Sequence, residues 1–329
     1  MLPDLEPLAP QPGPGRRALV LALKLGITAA LGYWLWQSVD AAAIYASLLS
    51  ISPAGLVAAV LLVLLQHGVM AWRWQRLLRW MGHALSWPEA FRWMLIGTFF
   101  GQALPSSVGG DAARILWLRQ RGAGLTVAAG SVLLERVSGL LMLCVWVTCG
   151  ALMMDLSTAA PTMHHVLLSI GPVAVLGVVV GLGVLWLAPA LGHGERYNRV
   201  YAAFNLLRGA LSSHRRALEL AVYGLLGSGC GLAAVWVLGQ QLGVPLGGAH
   251  HFALGGLAML ITVLPISLGG WGLREASMVG LFGMFGAPAE PVLAMSLLVG
   301  LLPLMVSLPA GLSWWVAQHR APAVLAERS

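Results

Sequence analysis

The stretch LPSSVGGDAAR at residues 104–114 recurs as LPISLGGWGLR at residues 264–274. At this offset of 160 residues, leucine, proline, serine, two glycines and arginine coincide, which gives six identical positions in eleven. Chance easily matches leucine and glycine in an apolar chain, but it rarely matches proline, serine and arginine in the same register. We therefore interpret the two stretches as copies of one internal repeat.

The composition around the repeat indicates a membrane protein. Of the 329 residues, 58% are hydrophobic and 9% are charged, and the mean hydropathy is +0.82. Soluble domains carry about 25% charged residues, so this chain has too little polar surface to cover a globule in water. These numbers exclude a soluble enzyme, a disordered protein and a small disulfide scaffold, and they predict an all-α polytopic membrane protein.

Apolar runs of about 20 residues, each long enough to cross a bilayer, define the predicted spans. The uninterrupted runs are 18–36, 53–72, 124–153, 164–189, 217–242 and 291–317, and two broken segments cover 87–121 and 251–286. A cleaved signal peptide is the alternative for the first run. The acidic start, Lys24 within the run and the lack of an A-x-A site favour an uncleaved span.

The distribution of arginine predicts the topology. If the N-terminus is cytoplasmic and the first broken segment returns to the side it entered, the outer loops are 37–52, 154–163, 243–250 and 287–290, and none contains Lys or Arg. This agrees with the positive-inside rule and puts both termini in the cytoplasm. Three crossings then separate the two motif copies, so the copies enter from opposite faces. The sequence thus predicts an inverted-topology repeat with two re-entrant, broken hairpins.

The predicted organisation is a single transmembrane domain between two tails. We expect a disordered, Pro-rich cytoplasmic tail over residues 1–17, the membrane domain over 18–318 and a cytoplasmic tail over 319–329. An amphipathic stretch at 195–216 carries several arginines and predicts a surface helix on anionic lipid.

The motif itself predicts an anion site. Proline stops a helix, and a Gly-Gly pair allows positive φ and close backbone approach. The next half-helix presents unsatisfied N–H groups and a partial positive charge. Arg114 and Arg274 are expected one turn into these half-helices, where they would favour a phosphate. The alternative is that each motif is only a kink that packs helices.

Charged residues beside the motifs need partners at bilayer depth. Asp111 precedes Arg114 by three residues, so the two share a helix face, although Asp111 could equally be a plain N-cap. Glu135 is the best candidate to neutralise Arg114 or Arg274, or to carry a proton. Adjacent residues point about 100° apart on a helix, so each member of 135–136 and of 274–275 is expected to have its own partner.

The candidate substrate-binding residues follow from these arguments. They are Pro105, Ser107, Gly109, Gly110, Asp111, Arg114, Glu135, Arg136, Pro265, Ser267, Gly269, Gly270, Arg274 and Glu275. No catalytic residue, metal site or cofactor is expected, since the sequence has no Walker loop, H-E-x-x-H or C-x-x-C motif.

Four segments carry a family likeness: RWQRLLRWMGHALSWPEAF (73–91), GTFFGQALPSSVGGDAARI (97–115), VLLERVSGLL (132–141) and LPISLGGWGLREA (264–276). Together they resemble the lysylphosphatidylglycerol synthase transmembrane family, the flippase-like membrane region of the multiple peptide resistance factor. The resemblance implies a bacterial inner-membrane protein that moves lipids or lipid-linked anions between leaflets. In this likeness the motif positions are occupied by Pro105, Gly109, Gly110, Asp111, Arg114, Glu135, Arg136 and Arg274.

The two-domain relatives carry a soluble aminoacyl-transferase after the membrane region. The present sequence ends at Ser329, so we expect no such domain and no synthesis of lysylphosphatidylglycerol.

The leading functional hypothesis is a lipid flippase whose midplane site holds an anionic headgroup between the two broken helices. The alternatives are a scaffold subunit of a lipid or glycolipid synthesis pathway, and a polyprenyl-phosphate-dependent transferase. The expected partners are the membrane and an anionic lipid or lipid-linked phosphate, with no nucleic acid. Homo-oligomer formation stays open.

Overall fold

The fold is helical throughout the part of the chain that this computed structural model describes. That part comprises residues 14–38, 40–103, 109–154, 161–187, 213–264 and 266–326. Its helices are α1 (Pro14–Ser38), α2 (Ala41–Leu49), α3 (Pro53–Trp80), α4 (Trp87–Ala103), α5 (Gly109–Gln120), α6 (Leu125–Met153), α7 (Pro161–Leu187), α8 (His214–Gln241), α9 (Gly248–Thr262), α10 (Leu273–Gly283) and α11 (Ala289–Ala326). The prediction of an all-helical protein is confirmed for these residues.

Four helices are long and apolar enough to cross a membrane. They are α3, α6, α8 and the Ala289–Val316 part of α11. Shorter apolar stretches lie in α1 (Ala22–Leu35) and α7 (Thr162–Gly177). Large apolar side chains on these helices are exposed, among them Leu61 and Met305, which suits contact with acyl chains and not with water. The chain is therefore a polytopic membrane protein.

Three buried apolar clusters hold the described helices together, and the two larger ones order the region of the motifs. The largest cluster contains residues of α3 and of every helix from α6 through α11. Its side chains Phe282 and Met295 are fully buried. The second one joins α3, α4, α5 and α6 around Trp74 and Trp117. Beyond these clusters, α3 packs along α8, α6 packs along α9, and α4 packs along α11. Since close-packed interiors hold side chains in fixed positions, this packing orders the helices that carry the buried charges.

Each copy of the repeated motif ends inside the second helix of a pair. The first copy ends in α5, which packs on α4, and the second copy ends in α10, which packs on α9. In the second copy, Gly269, Gly270 and Gly272 have φ of 57°, 82° and 79°. These left-handed conformations delay the helix, so α10 begins only at Leu273. In the first copy, α5 begins at the glycine pair itself.

The different helix starts place the two arginines differently. Arg274 is the second residue of α10, whereas Arg114 is the sixth residue of α5. The prediction that both arginines lie one turn into their half-helices is therefore wrong. The glycines of the second copy adopt positive φ, whereas those of the first copy are helical. The helix therefore starts at a different distance from the arginine in each copy.

The structure also contains helix where the sequence predicts connections. Helix α2 lies within the predicted outer loop 37–52, and it is capped by Asp40, whose Oδ1 accepts from the Ala42 N–H at 2.8 Å. Residues 14–17 and 319–326, predicted as tail, are helical. Most of the predicted amphipathic stretch 195–216 and the first 13 residues of the chain lie outside the described residues.

Candidate functional site

A buried carboxylate, Glu135 on α6, lies between two arginines from different helices. Its Oε1 accepts from Nη2 of Arg73 on α3 at 2.5 Å, and its Oε2 accepts from Nη1 of Arg114 on α5 at 3.2 Å. The side chain of Glu135 is 1% exposed, and those of the arginines are 4% and 3% exposed. Because removing one partner of a buried ion pair leaves an uncompensated charge, this carboxylate ties α3, α5 and α6 together.

The guanidinium of Arg114 is held between α3 and α4. Its Cζ lies 4.2 Å from the centroid of the Trp74 ring, and its Nη1 lies 3.6 Å from Sδ of Met94. Trp74 is fixed in turn by its Nε1, which donates to Oγ of Ser131 at 3.2 Å. On α4, a Cβ at Gly97 would lie 3.0 Å from Cδ of Arg114. Arg114 is therefore held in one orientation by the Trp74 ring, the close approach of Gly97 and the Glu135 carboxylate.

Arg114 retains donors that no group in the described residues uses. In the part of the chain that the structure describes, Nε and Nη2 of Arg114 and Nε of Arg73 are buried and have no hydrogen-bond partner. A guanidinium can present two parallel N–H groups to the oxygens of one carboxylate or phosphate. The pair Nε and Nη2 is such an edge, so Arg114 can bind an anion while it still contacts Glu135 through Nη1.

A second ion pair adjoins these residues. Oδ2 of Asp111, in the first turn of α5, accepts from Nε of Arg136 at 3.0 Å, and Oδ1 accepts from Nη2 at 2.9 Å. Asp111 Oδ1 also lies 3.9 Å from Arg114 Nη1, so the predicted shared face exists but Arg136 is the closer partner. We call Arg73, Asp111, Arg114, Glu135 and Arg136 the Arg114 cluster. Its three cations and two carboxylates leave a formal charge of one positive unit.

The second motif copy carries a smaller group, the Arg274 cluster, which consists of Trp271, Arg274, Glu275 and Ser296. Nε and Nη2 of Arg274 donate to Oε1 of Glu275 at 3.1 and 2.5 Å, and Cζ of Arg274 lies 4.7 Å from the Trp271 ring centroid. Oγ of Ser296 donates to the same Oε1 at 3.4 Å. Side chains of Arg274 and Glu275 are 6% and 4% exposed. This cluster is neutral by itself.

Glu275 also caps α10, because its Oε2 accepts from the Gly272 N–H at 2.6 Å. The carboxylate therefore folds back over the first turn, where the long side chain of Arg274 reaches it. The prediction that residues 274 and 275 need different partners is wrong for this reason. The same prediction holds for residues 135 and 136, which lie mid-helix and pair with different residues.

The two motif copies meet on α4. A Cβ at Gly269 would lie 3.5 and 3.7 Å from the carbonyl oxygens of Gly101 and Gln102, at the end of α4. A Cβ at Gly110 would overlap the carbonyl oxygen of Gly97, one turn earlier on the same helix. Helix α4 is thus the element against which both copies pack.

The family model of the lysylphosphatidylglycerol synthase TM region matches residues 21–311 of the chain. The chain belongs to this family. The matched range runs from α1 into α11 and includes both clusters. No curated protein matches the chain.

Most predicted site residues of this lysylphosphatidylglycerol synthase-family protein lie in or beside the two clusters. Asp111, Arg114, Glu135 and Arg136 come together in one cluster, and Arg274 and Glu275 in the other. Gly109, Gly110, Gly269 and Gly270 begin α5 or precede α10, and Ser267 is 1% exposed beside them. Pro105, Ser107 and Pro265 lie outside the described residues.

Sequence reasoning missed Arg73. It is the first of three arginines after the apolar run 53–72, with Arg76 and Arg79, and the positive-inside rule assigns arginines in this position to a cytoplasmic flank. Glycines on two other helices make room for it: a Cβ at Gly139 would lie 3.1 Å from Arg73 Nη2, and one at Gly224 would lie 3.3 Å from Nη1. Of the three arginines, Arg73 lies nearest to the apolar run. This position is the sequence feature that could have indicated its burial.

The charged groups that this family member presents at the site are arginines and carboxylates. Across the described segments, no group of three or more His, Cys, Asp or Glu side chains is arranged to hold a metal ion. The two carboxylates of the Arg114 cluster are both engaged by arginine. What the arrangement offers to a ligand is therefore positive charge and N–H donors.

Proposed function

We propose that this protein moves an anionic phospholipid or a lipid-linked phosphate between the leaflets of the membrane. The proposal rests on one observation: Arg114, 2% exposed, lies in a cluster with one excess positive charge and has two donors without a partner among the described residues. A charge in the membrane interior costs about 2.5–3.5 kcal/mol on insertion scales. An excess arginine at such a place favours a function that uses it.

A phosphate group meets the requirements of the Arg114 cluster. One negative charge neutralises the excess of the cluster, and two phosphate oxygens can accept from Nε and Nη2 of Arg114. Arg114 is on the short helix α5, whose N-terminal end adds a partial positive charge. The headgroup would be held at this place while the acyl chains stay in lipid.

The transport route in this proposal uses both motif copies. We propose that α4–α5 and α9–α10 are re-entrant hairpins of an inverted repeat, one open to the cytoplasm and the other to the outside. Three observations support this arrangement: the shared motif, a helix on either side of each copy, and the contact of both copies with α4. A headgroup that passes along α4 would then alternate between the two openings.

The proposed location is the bacterial inner membrane, with both termini in the cytoplasm. The support is the absence of Lys and Arg from the predicted outer loops 37–52, 154–163, 243–250 and 287–290, as the positive-inside rule requires. The protein is a transporter in this proposal, not an enzyme, and its partner is the anionic lipid itself.

The test is lipid movement in reconstituted vesicles. Purified protein is placed in vesicles with an anionic phospholipid labelled on its acyl chain, and the outer-leaflet label is quenched with a membrane-impermeant reductant. Arg114→Ala should reduce movement to the rate of protein-free vesicles. Arg114→Lys, which keeps the charge but not the two-donor edge, should give an intermediate rate.

Arg121→Ala is the matched control, since Arg121 forms an exposed ion pair with Glu89 and its side chain is 57% exposed. It should move lipid at the wild-type rate. Wild-type movement by a folded Arg114→Ala variant would refute the proposal. A new lipid product from a polyprenyl-phosphate donor would favour a transferase instead. A scaffold would be favoured if neither the wild type nor any variant moved lipid and a variant lost a co-purifying synthesis enzyme.

A further inference from the structure

A buried histidine, His67, lies near the middle of α3. It is the fifteenth of the 28 residues of this apolar helix and is 4% exposed. Ionisable side chains inside a membrane domain are costly, and those that occur there are typical of ion pathways and proton relays. The anion site described above does not use His67.

Both ring nitrogens of His67 have a polar partner. Nδ1 lies 2.7 Å from the carbonyl oxygen of Val63, one turn earlier on α3, and Nε2 lies 3.1 Å from Oγ1 of Thr98 on α4. Oγ1 of Thr98 in turn lies 3.0 Å from the carbonyl oxygen of Met94. These contacts form a polar chain from α3 to α4 with a carbonyl acceptor at either end.

This chain has room for a second proton on the imidazole. Its three contacts require three hydrogens, whereas a neutral imidazole and a hydroxyl supply two. With a neutral ring, the Thr98 hydroxyl donates either to Nε2 or to Met94, and one contact lacks a hydrogen. With a doubly protonated ring, Nε2–H donates to Thr98 and the hydroxyl donates to Met94. Uptake of a proton at Nε2 therefore completes the chain and only requires the hydroxyl hydrogen to rotate.

One turn of α4 connects His67 with Arg114. Sδ of Met94 lies 3.6 Å from Nη1 of Arg114. Met94 and Thr98 are four residues apart, so they share a face of α4 and are separated by about 6 Å along its axis. On α3, Trp74 is seven residues after His67 and on the same face, and its ring stacks on the Arg114 guanidinium. The imidazole and the guanidinium are therefore close enough for their charges to interact.

The Arg114 cluster supplies the charges on the helices around His67. Residues 93–103 of α4, 220–241 of α8 and 291–318 of α11 contain no Asp, Glu, Lys, Arg or other His. The other titratable side chains in these parts of α8 and on α6 are Tyr223, Cys230, Cys144 and Cys149, which are uncharged in the range where histidine titrates. Burial and the excess positive charge of the cluster both oppose a charged imidazole. The ring is therefore expected to be neutral until an anion cancels that excess.

We infer that His67 is the proton-binding site of a proton-coupled transport cycle. A phosphate at Arg114 removes the charge that repels a proton, and by reciprocity a proton at His67 strengthens the binding of the phosphate. Nε2 accepts one proton from water as the anion binds, and it returns that proton to water on the other side when the anion leaves. The pair thus crosses without net charge. The inference rests on the proposed function, and it adds the source of free energy for the movement.

The first experiment measures leaflet asymmetry in vesicles with a pH gradient between about pH 5 and about pH 8, the range in which histidine titrates. The probe is acyl-labelled phosphatidylglycerol, whose phosphodiester stays ionised on both sides, and protein-free vesicles give the background. The wild type should accumulate the label several-fold in the leaflet on the alkaline side, because protons flow in that direction. His67→Gln keeps a polar side chain but takes up no proton, so it should bring the label to the background distribution.

His165→Gln is the matched control for this experiment. His165 is an exposed histidine on α7, so the same substitution there should leave the accumulation of label at the wild-type level. If His165→Gln also abolished the accumulation, the effect of His67→Gln would not be specific, and the inference would fail.

A histidine titration measures proton binding without lipid movement. The ring-nitrogen NMR signal of His67 is identified by its loss in His67→Gln. Added phosphatidylglycerol should raise the titration midpoint of this signal by about one pH unit, a tenfold gain in proton affinity. In Arg114→Ala the same lipid should not move the midpoint. Thr98→Val removes the hydroxyl that accepts from Nε2–H, so it should lower the midpoint with and without lipid.

Two results would overturn the inference. One is an imidazole that stays neutral at about pH 5 with phosphatidylglycerol present. The other is wild-type protein that moves the label but leaves it at the background distribution under the gradient. If His67→Gln does not fold, the wild-type titration decides, with the His67 signal assigned by its displacement in Thr98→Val. Failure of the proposed function has a different signature, in which the wild type moves no label at any pH.

Discussion

The two motif copies each contain a buried arginine whose charge is balanced by a glutamate, but the residues around the arginine come from different distances in the sequence. Each contains a buried arginine that stacks on a tryptophan and pairs with a glutamate. In the second copy, the tryptophan and the glutamate are both within three residues of Arg274. In the first copy, Trp74 comes from α3 and Glu135 from α6. The second copy is therefore neutral on its own, whereas the first becomes part of a five-residue cluster with excess positive charge.

Single residues account for this difference. At the shared offset of 160, Glu275 corresponds to Ile115, and Trp271 corresponds to Asp111. The first copy thus lacks the local ring and an acid directly after its arginine, and other helices supply a ring and a closer carboxylate, since Asp111 Oδ1 lies 3.9 Å from Arg114 Nη1 and Asp111 pairs mainly with Arg136. Identity of a motif therefore does not fix its charge balance. The excess positive charge of the first copy agrees with the proposal that this copy binds the anion.

The largest expected effect is on stability, from Glu135→Gln. This change leaves two buried arginines to share one carbonyl oxygen, so we expect a loss of about 3–5 kcal/mol in the free energy of unfolding. Glu275→Gln also removes the acid of a buried pair, but it leaves one arginine instead of two and keeps one acceptor oxygen, so its loss should be smaller than that of Glu135→Gln. Unfolding in a detergent titration measures both.

Glu89→Gln is the control for Glu135→Gln. Glu89 forms an ion pair with Arg121, and the two side chains are 38% and 57% exposed. Exposed pairs contribute about 0–1 kcal/mol, so this variant should unfold close to wild type. If Glu275→Gln proved more destabilising than Glu135→Gln, the distinction between an arginine balanced within its own motif copy and one balanced by other helices would be incorrect.

The sequence predicted the helical membrane class from composition. From the cost of a buried charge it also predicted that Glu135 neutralises Arg114 or Arg274, or carries a proton, and the structure pairs Glu135 with Arg114. The sequence could not predict Arg73. An arginine that ends a span and an arginine that enters the core have the same local sequence, and only the approach of α3 to α6 distinguishes them. It also missed the Arg274–Glu275 pair, because helix periodicity does not describe a first turn whose acid folds back as a cap.

The glycines of the two copies should respond differently to substitution. Gly110 is helical, and a Cβ there would overlap the carbonyl oxygen of Gly97, so Gly110→Ala should force α4 and α5 apart at a cost of about 1–3 kcal/mol. Gly270 has φ of 82° and its Cβ would meet Thr262 at an ordinary 3.4 Å. Gly270→Ala should cost about 1–2 kcal/mol through backbone strain alone.

Asparagine separates the two causes, because it adopts the left-handed region more readily than alanine but is larger. Gly270→Asn should unfold at a higher temperature than Gly270→Ala, and Gly110→Asn should unfold at a lower temperature than Gly110→Ala. The same order at both positions would show that one mechanism operates in both copies.

The smallest effect on stability should come from Arg136, and it tests the excess charge itself. The Arg136 side chain is 55% exposed and is not enclosed by other helices, so Arg136→Gln should cost less than about 1 kcal/mol. The variant nevertheless removes the net positive charge of the Arg114 cluster, because Asp111 and Glu135 then balance Arg73 and Arg114. Movement of an anionic lipid should therefore slow several-fold while the unfolding temperature hardly changes. Arg136→Lys, which retains the charge, should move lipid at nearly the wild-type rate. If Arg136→Gln moved lipid as fast as wild type, the two donors of Arg114 and not the excess charge would decide anion binding.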